Sequence, residues 1–363
     1  MGSIIGNKLK ISVFGQSHSE AIGVVIDGFP AGFSIDREEL AKFIKRRSPG
    51  NAAFSTARRE ADTPHFISGL VDGKTCGAPI AAVIANTDVR SEDYRKIYDV
   101  PRPSHADFSA RMKFGGAEDV RGGGHFSGRL TAPLCVAGAL CEQYLKKRNI
   151  QIFAHIASIA AVSDEEVDWA SPDLSRLSAA KNRDFSVISP EKGEEMQEKI
   201  SEAKERGDSV GGVVECIITG VPAGIGNPMF EGIENRIASM IFGIPAVRGI
   251  EFGKGFASAL LLGSQNNDEF YYAPDGSIKT ASNRHGGVLG GISTGMPIVF
   301  RTAFKPTPSI AIEQNSISFE KKENTPICIS GRHDPCIVPR AVVCVEAAAA
   351  IGIMDLLLEE GRY

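Results

Sequence analysis

At 363 residues, with 42% hydrophobic and 23% charged side chains, the sequence has ordinary globular composition and room for one large domain or two smaller ones. A formal charge of -4 leaves no basic excess to neutralise phosphates, which excludes a protein built to hold nucleic acid. Seven cysteines without a CxxC pair or zinc-type spacing read as reduced thiols with no metal site, as expected of a cytoplasmic protein.

In chain order, Met1 to Lys10 has no long apolar core, so no signal peptide is expected. Gly23 to Asp27 is a β-branched run closed by a Pro30-Ala31-Gly32 turn, and Asp36 is placed to cap a helix burying Leu40, Phe43 and Ile44. That helix ends in Lys45-Arg46-Arg47 with Arg58-Arg59 beyond, a basic group that either complements the helix dipole or makes an anion site. The run Arg121-Gly122-Gly123-Gly124-His125-Phe126-Ser127-Gly128-Arg129 leads into a helix over Thr131 to Lys147, with Leu134, Ala137, Leu140, Cys141 and Tyr144 on one face. This run is either a surface turn or a loop offering backbone N–H groups and arginine forks to an anion. Asp164 to Ser189 has no clear periodicity and reads as a peripheral insertion, and Glu191 to Arg206 reads as a charged surface helix.

Gly212 to Thr219, ended by Pro222-Ala223-Gly224, echoes the first strand and turn, and Phe230, Ile233, Ile237 and Ile241 follow at helical spacing. The related strand–helix units, near 21–47 and 210–242, suggest pseudo-symmetric halves of one domain over residues 1–363. Pro339 to Glu360 is apolar on nearly all sides but carries Glu346 and Asp355, so a helix buried between layers is expected, with no membrane span.

Five of the seven histidines (His18, His105, His125, His285 and His333) lie in short segments rich in Gly, Ser, Arg and Pro. Imidazole exchanges protons near neutrality, and loops on a rigid scaffold are where such chemistry is mounted. A single loop histidine reads equally as a satisfied surface group. Lys305-Pro306-Thr307-Pro308-Ser309 reads either as a rigid loop presenting a cation and hydroxyls or as stiffened turns. Arg332-His333-Asp334 offers a guanidinium, a base and an acid, or a structural Arg–Asp tie.

Taken in order, these motifs resemble the chorismate synthase family from the first strand to the last helix. The resemblance rests on Phe14-Gly15-Gln16-Ser17-His18, Arg102-Pro103-Ser104-His105-Ala106-Asp107, Arg121 to Gly124, Ser127-Gly128-Arg129, Gly249 to Gly253, Gly263 to Asn266, Gly286 to Ser293, Lys305 to Ser309 and Gly331 to Cys336. It implies an α+β fold, a β-α-β sandwich with helices between two antiparallel sheets, and a homotetramer. It also implies a reaction: phosphate leaves 5-enolpyruvylshikimate 3-phosphate by 1,4-elimination to give chorismate, with reduced FMN required and no net redox change.

By matching positions, the resemblance makes His18, with Ser17, the group that meets the departing phosphate. It makes His105 a proton-handling group on the flavin N1 side, and Asp334, oriented by Arg332 and supported by Ser127, part of the proton relay involving N5. It implies substrate binding by Ser17, His18, Arg47, Arg129 and Arg332. FMN would be held by His125, Phe126, Ser127, Pro245, Ala246, Gly286, Gly287, Lys305, Pro306, Thr307, Pro308, Ser309 and Arg332. Gln16, Ser19 and Ser104 depart from the usual motifs, and Ala52, Ala53 and Phe54 stand where a further arginine is often found. No NADP-contacting role carries over there, and the minimal length favours an external flavin reductase. A flavin oxidoreductase and a non-catalytic anion-binding scaffold are the competing readings.

Overall fold

The two β-branched runs that echo each other become the central strands of two five-stranded antiparallel sheets. In the computed structural model, which describes residues 2–48, 62–87, 98–329 and 334–361, the first sheet runs Ile4–Ile5, Lys10–Gly15, Ala21–Asp27, Ile80–Ala85, His65–Ser68. The second runs Val247–Phe252, Ile298–Phe304, Gly212–Thr219, Gln151–Ile159, Val162–Ser163. Alternation within each strand sends residues such as Ile22, Val24 and Ile26, or Val214, Cys216 and Ile218, into a shared core.

Helices fill the space between the sheets. Thr131–Lys146 packs on Ala21–Asp27 and Ile80–Ala85 of the first sheet, while Val338–Glu359 packs on Gln151–Ile159 and Gly212–Thr219 of the second. The two helices also lie against each other, and one continuous apolar cluster joins them to both sheets. This is the expected sandwich. Helix Arg37–Arg47 begins as its sequence predicts, with the Asp36 carboxylate accepting from the N–H groups of Glu38 and Glu39 and with Leu40, Phe43 and Ile44 buried.

Helix Val338–Glu359 is long and apolar enough to cross a membrane, yet 94% of its most apolar window is buried inside the protein. Its two fully buried carboxylates are met by protein partners. Glu346 accepts from Arg46 Nη1 at 2.5 Å and from Ala154 N at 3.0 Å. Asp355 accepts from the backbone N–H groups of Asn7, Lys8 and Leu9 and from Arg236. Leaving either one unpaired would cost on the order of 3–5 kcal/mol.

Two segments differ from expectation. The second echo's helix is Ile233–Ile241 and starts after Gly232, so Phe230 stands outside it, 79% exposed. Residues 164–189 are more than a peripheral insertion. Helix Leu174–Lys181, capped by Asp173, and the segment to Ile188 cover the second sheet's outer face, burying Phe153, Ile217 and Val299 in a second apolar cluster. The strands beneath are apolar on both faces and need a cover on each. Helix Pro190–Glu205 has a charged face, as expected, but buries Gly193, Met196, Ile200 and Ala203.

On that outer face four side chains form a row of alternating charge across four strands. His155 is paired in register with Glu215, Glu215 with Arg301, and Arg301 with Glu251. His155 Nε2 lies 3.2 Å from Glu215, Arg301 Nη2 lies 2.8 Å from Glu251, and Trp169 Nε1 donates to Glu215 at 3.2 Å. Burial alone would lower the His155 pKa, but Asp164 and Glu215 outweigh it and raise it to about 9. The row lines a cavity of about 440 Å³ under residues 163–170.

Candidate functional site

Ser17 and His18 lie in the loop joining Lys10–Gly15 to Ala21–Asp27, a hairpin whose last pair is Gly15 with Ile22. The loop is tied down from within and without. Ser19 Oγ accepts from Gln16 N at 3.0 Å and reaches Ala21 O at 2.7 Å, and Asn86 Nδ2 donates to Ser19 O at 2.8 Å. Ser17 N donates to Gly124 O at 3.1 Å, which fixes the hairpin tip on the glycine loop. Both departures from the family motif thus serve the loop itself: Gln16 through its backbone and Ser19 through its hydroxyl. Ser17 and His18 are buried, and Ser17 Oγ has no hydrogen-bond partner among the described residues.

The glycine loop passes between the two histidines assigned proton roles. Gly122 has φ 59° and Gly123 φ 84°, left-handed values that favour glycine. A Cβ on Gly122 would sit 2.6 Å from Ser17 Oγ and 2.5 Å from His18 Nδ1. A Cβ on Gly123 would sit 3.4 Å from His105 Cε1 and Nε2 and 3.8 Å from Ser127 Cβ. Two consecutive residues therefore bring Ser17 and His18 to one side and His105 and Ser127 to the other. Ser127 Oγ also caps the turn that follows, accepting from Arg129 N at 3.2 Å.

His105 is held from below and roofed by the proline loop. Its Nδ1 lies 2.6 Å from Asp107 Oδ1, and Asp107 Oδ2 accepts from Arg102 Nε at 2.7 Å and from Arg102 N at 3.0 Å. Arg102 Nη1 donates to Ser309 Oγ at 3.2 Å, and Lys305 Nζ donates to Ser104 O. Lys305 N donates to Ala246 O at 3.1 Å, so the Pro245-Ala246 turn joins the assembly. Thr307 Oγ1 is buried and without a hydrogen-bond partner among the described residues. Burial pushes the His105 pKa down, and Arg102 and Lys305 reinforce the shift against the pull of Asp107. Burial opposes ionisation of Asp107, but Arg102 and His105 hold it well below the usual carboxylate range.

Arg47 and Arg129 are buried and share one carboxylate that sequence reasoning missed. Arg47 Nη1 donates to Asp62 Oδ2 at 2.5 Å, Arg47 Nε to Thr131 Oγ1 at 3.1 Å and Arg47 Nη2 to Gly128 O at 3.1 Å. Arg129 Nη1 donates to Asp62 Oδ1, and its Nε donates to Asn86 Oδ1 at 3.0 Å. Burial would raise the Asp62 pKa, yet the two guanidinium groups hold it below its ordinary value. Arg340, also missed, donates to Asp334 Oδ2 at 2.6 Å and to Arg47 O at 3.0 Å. Asp334 is thereby linked through Arg340 and Arg47 to the same cluster. Arg332 lies outside the described residues, as do Arg58 and Arg59.

Other expected site residues are placed differently. His125 bridges Gly15 O, 2.9 Å from Nδ1, and Ser3 Oγ, 3.0 Å from Nε2, which ties the glycine loop to the first sheet, and Phe126 is exposed. Arg121 is engaged by Asp119 at 2.8 Å. Gly286 and Gly287 lie at the start of strand Ile298–Phe304, where Gly286 O accepts from Val299 N, whereas Lys305 follows its other end. At ~3.3 Å per residue that separation is roughly 20 Å. Within one chain these glycines do not join the site.

A family profile for chorismate synthase matches residues 9–358. The chorismate synthase of Lancefieldella parvula is 44% identical, the alignment covering 98% of this chain and 96% of that protein. That of Thermococcus kodakarensis is also 44% identical, over 99% of this chain and 98% of that one. A crystal structure of chorismate synthase superposes with a TM-score of 0.76 at 30% identity, covering 98% of this chain and 93% of the other. With its motifs in order, its sandwich fold and its full-length relatives, this chain belongs to the chorismate synthase family.

Proposed function

We propose that this chain forms chorismate from 5-enolpyruvylshikimate 3-phosphate by 1,4-elimination of phosphate, with reduced FMN bound beside the substrate. The observation that carries this reading is the placement of Gly122 and Gly123 between His18 with Ser17 and His105 with Ser127. A backbone without side chains lets a flat ligand and a polyanion approach both histidines at once. The orphaned hydroxyls of Ser17 and Thr307 suit polar ligand atoms.

His18 and Ser17 meet the leaving phosphate, and the imidazole shares or supplies the proton that the phosphate takes up. Arg47 and Arg129, which share the Asp62 carboxylate, bring two guanidinium groups behind the glycine loop, where they suit the substrate's anionic groups. Arg332 belongs to the same binding set by its motif. His105 and Asp334, with Ser127, hold and move protons on the cofactor side. Reduced FMN, when bound, supplies electron density to the breaking C–O bond without net redox change. It would be held by Ser127, Pro245, Ala246 and Lys305 to Ser309, with His125 and Phe126 at the margin and Arg332 included by its motif alone.

Gly286 and Gly287 take part from a neighbouring copy in a homotetramer. Such an assembly is supported by the exposed apolar side chains of Phe256, Leu260, Leu262, Phe270 and Tyr272. The large apolar cluster that joins both sheets to the helices between them supports reading residues 1–363 as a single domain. The protein works in the cytoplasm, with reduced flavin supplied by a separate reductase. An anaerobic assay with photoreduced FMN tests the activity: chorismate accumulates while the reduced flavin persists. Oxidation of one flavin per substrate consumed would instead mark an oxidoreductase.

A further inference from the structure

We propose that Asp107 is a positioning residue that keeps the ring proton of His105 on Nδ1 and turns the Nε2 lone pair toward the space beside Gly123. The inference deepens the proposed function, since it specifies what His105 presents to a bound cofactor. It stands on the geometry of four side chains.

His105 Nδ1 has two close neighbours of opposite character. Asp107 Oδ1 lies at 2.6 Å and Arg102 Nη2 at 3.0 Å. The guanidinium is always a donor and the carboxylate, when ionised, only an acceptor, so the two neighbours favour opposite tautomers. Asp107 is ionised, because Arg102 binds both its oxygens, Nε to Oδ2 at 2.7 Å and Nη2 to Oδ1 at 2.9 Å. A carboxylate oxygen 2.6 Å from a bare ring nitrogen would set lone pair against lone pair. With the proton on Nδ1, the same contact becomes a short charge-assisted hydrogen bond. Arg102 Nη2 keeps its own acceptor in Asp107 Oδ1, so it loses little when Nδ1 is protonated. The Asp107 contact decides the tautomer.

The far side of the ring fits this assignment. His105 Nε2 has no hydrogen-bond partner among the described residues, the side chain keeps 17% exposure, and Nε2 faces the Cβ position that Gly123 leaves empty. Ser309 steadies Arg102 from the proline loop, so the carboxylate that orients the histidine is itself tied to the segment assigned to the cofactor. The charged groups facing the ring are Asp107, Arg102 and Lys305, and the two cations disfavour a second ring proton. His105 therefore offers an acceptor at Nε2, ready to take a proton or to receive a hydrogen bond from an N–H group.

The test uses the full-length protein labelled with ¹⁵N-histidine, with and without FMN, and the His105→Gln variant to assign the signals. The expected spectrum shows a protonated, pyrrole-type Nδ1 and a pyridine-type Nε2 for His105 near pH 8. A pyrrole-type Nε2 would overturn the proposal, and this reading of the unmutated protein does not depend on any variant folding. Asp107→Asn is expected to mix the tautomers and to lower kcat by about 10²-fold, with KM changed by less than about threefold. Asp107→Glu is expected to restore part of both. Retention of the Nδ1–H form in Asp107→Asn would show that Asp107 does not set it and would refute the proposal. If no chorismate forms at all, the proposed activity fails while the spectrum still judges the tautomer.

Discussion

Two groups of charged side chains, one on the outer face of the second sheet and one beside the glycine loop, behave differently. On the outer face of the second sheet, His155, Glu215, Arg301 and Glu251 answer one another across neighbouring strands, with Trp169 and Asp164 completing the set. Behind the glycine loop, Arg47, Arg129 and Arg340 outnumber Asp62 and Asp334. The first row lies under a segment that belongs to the same fold, and each of its cations meets a carboxylate. The second, counted among the described residues, has more arginines than carboxylates and adjoins two histidines across a bare backbone. Charge in a protein interior is not by itself a sign of chemistry. An unmatched balance beside an open approach is.

Substitutions put the difference to the test. The largest effect is expected at the open end, where His18→Ala lowers the rate of chorismate formation by about 10² to 10⁴-fold with folding intact by circular dichroism. Near-normal turnover would remove His18 from the phosphate side. Gly122→Ala adds a single methyl, yet it meets Ser17 and His18 and imposes a strained φ. A loss of about 10²-fold in kcat is expected from the displacement.

Asp62→Asn tests whether the second row's stability depends on its one shared carboxylate. Two buried guanidinium groups would lose their counter-ion, and a loss on the order of 3–5 kcal/mol in urea unfolding is expected. Because the folded pKa of Asp62 is depressed, its contribution is present above the unfolded value near ~3.9 and fades as pH falls through the folded one.

The smallest effects belong to the matched row. Trp169→Phe removes one hydrogen bond and should cost about 1 kcal/mol while leaving kcat unchanged. His155 has the opposite pH sign from Asp62. Its pKa is raised to about 9 in the folded protein, so its stabilisation is full below the unfolded value near ~6.5 and is lost as pH rises through about 9. Urea midpoints across that range should fall with pH, and His155→Gln should flatten the fall. A change in kcat for Trp169→Phe would undo the division between the two rows.

Much of the scaffold was legible because its signals are local. The Asp36 cap, the Pro-Ala-Gly turns and the all-apolar last helix each state their role within a few residues. His18, His105 and the glycine run were legible as motifs. Their convergence was not, since Gly122 and Gly123 must first be folded between them. Asp62 carried no signal at all: it is one carboxylate, 15 residues from Arg47 and 67 from Arg129. Arg340 likewise hid in the first turn of an apolar helix. The outer row could not be read because cross-strand partners are fixed only by register. The cover formed by residues 164–189 lacked periodicity because its short helix supplies only Leu177 and Ala180 to the apolar cluster beneath it.

The carboxylate of Asp355 has a consequence for how the chain is born. It receives the N–H groups of Asn7, Lys8 and Leu9 across a sequence separation of up to 348. During synthesis those three amides must wait, solvated or borrowed by other acceptors, until the helix that carries Asp355 has left the ribosome. Residues 7–9 are therefore among the last to settle, and a nascent chain stopped before that helix would leave their amides without this acceptor.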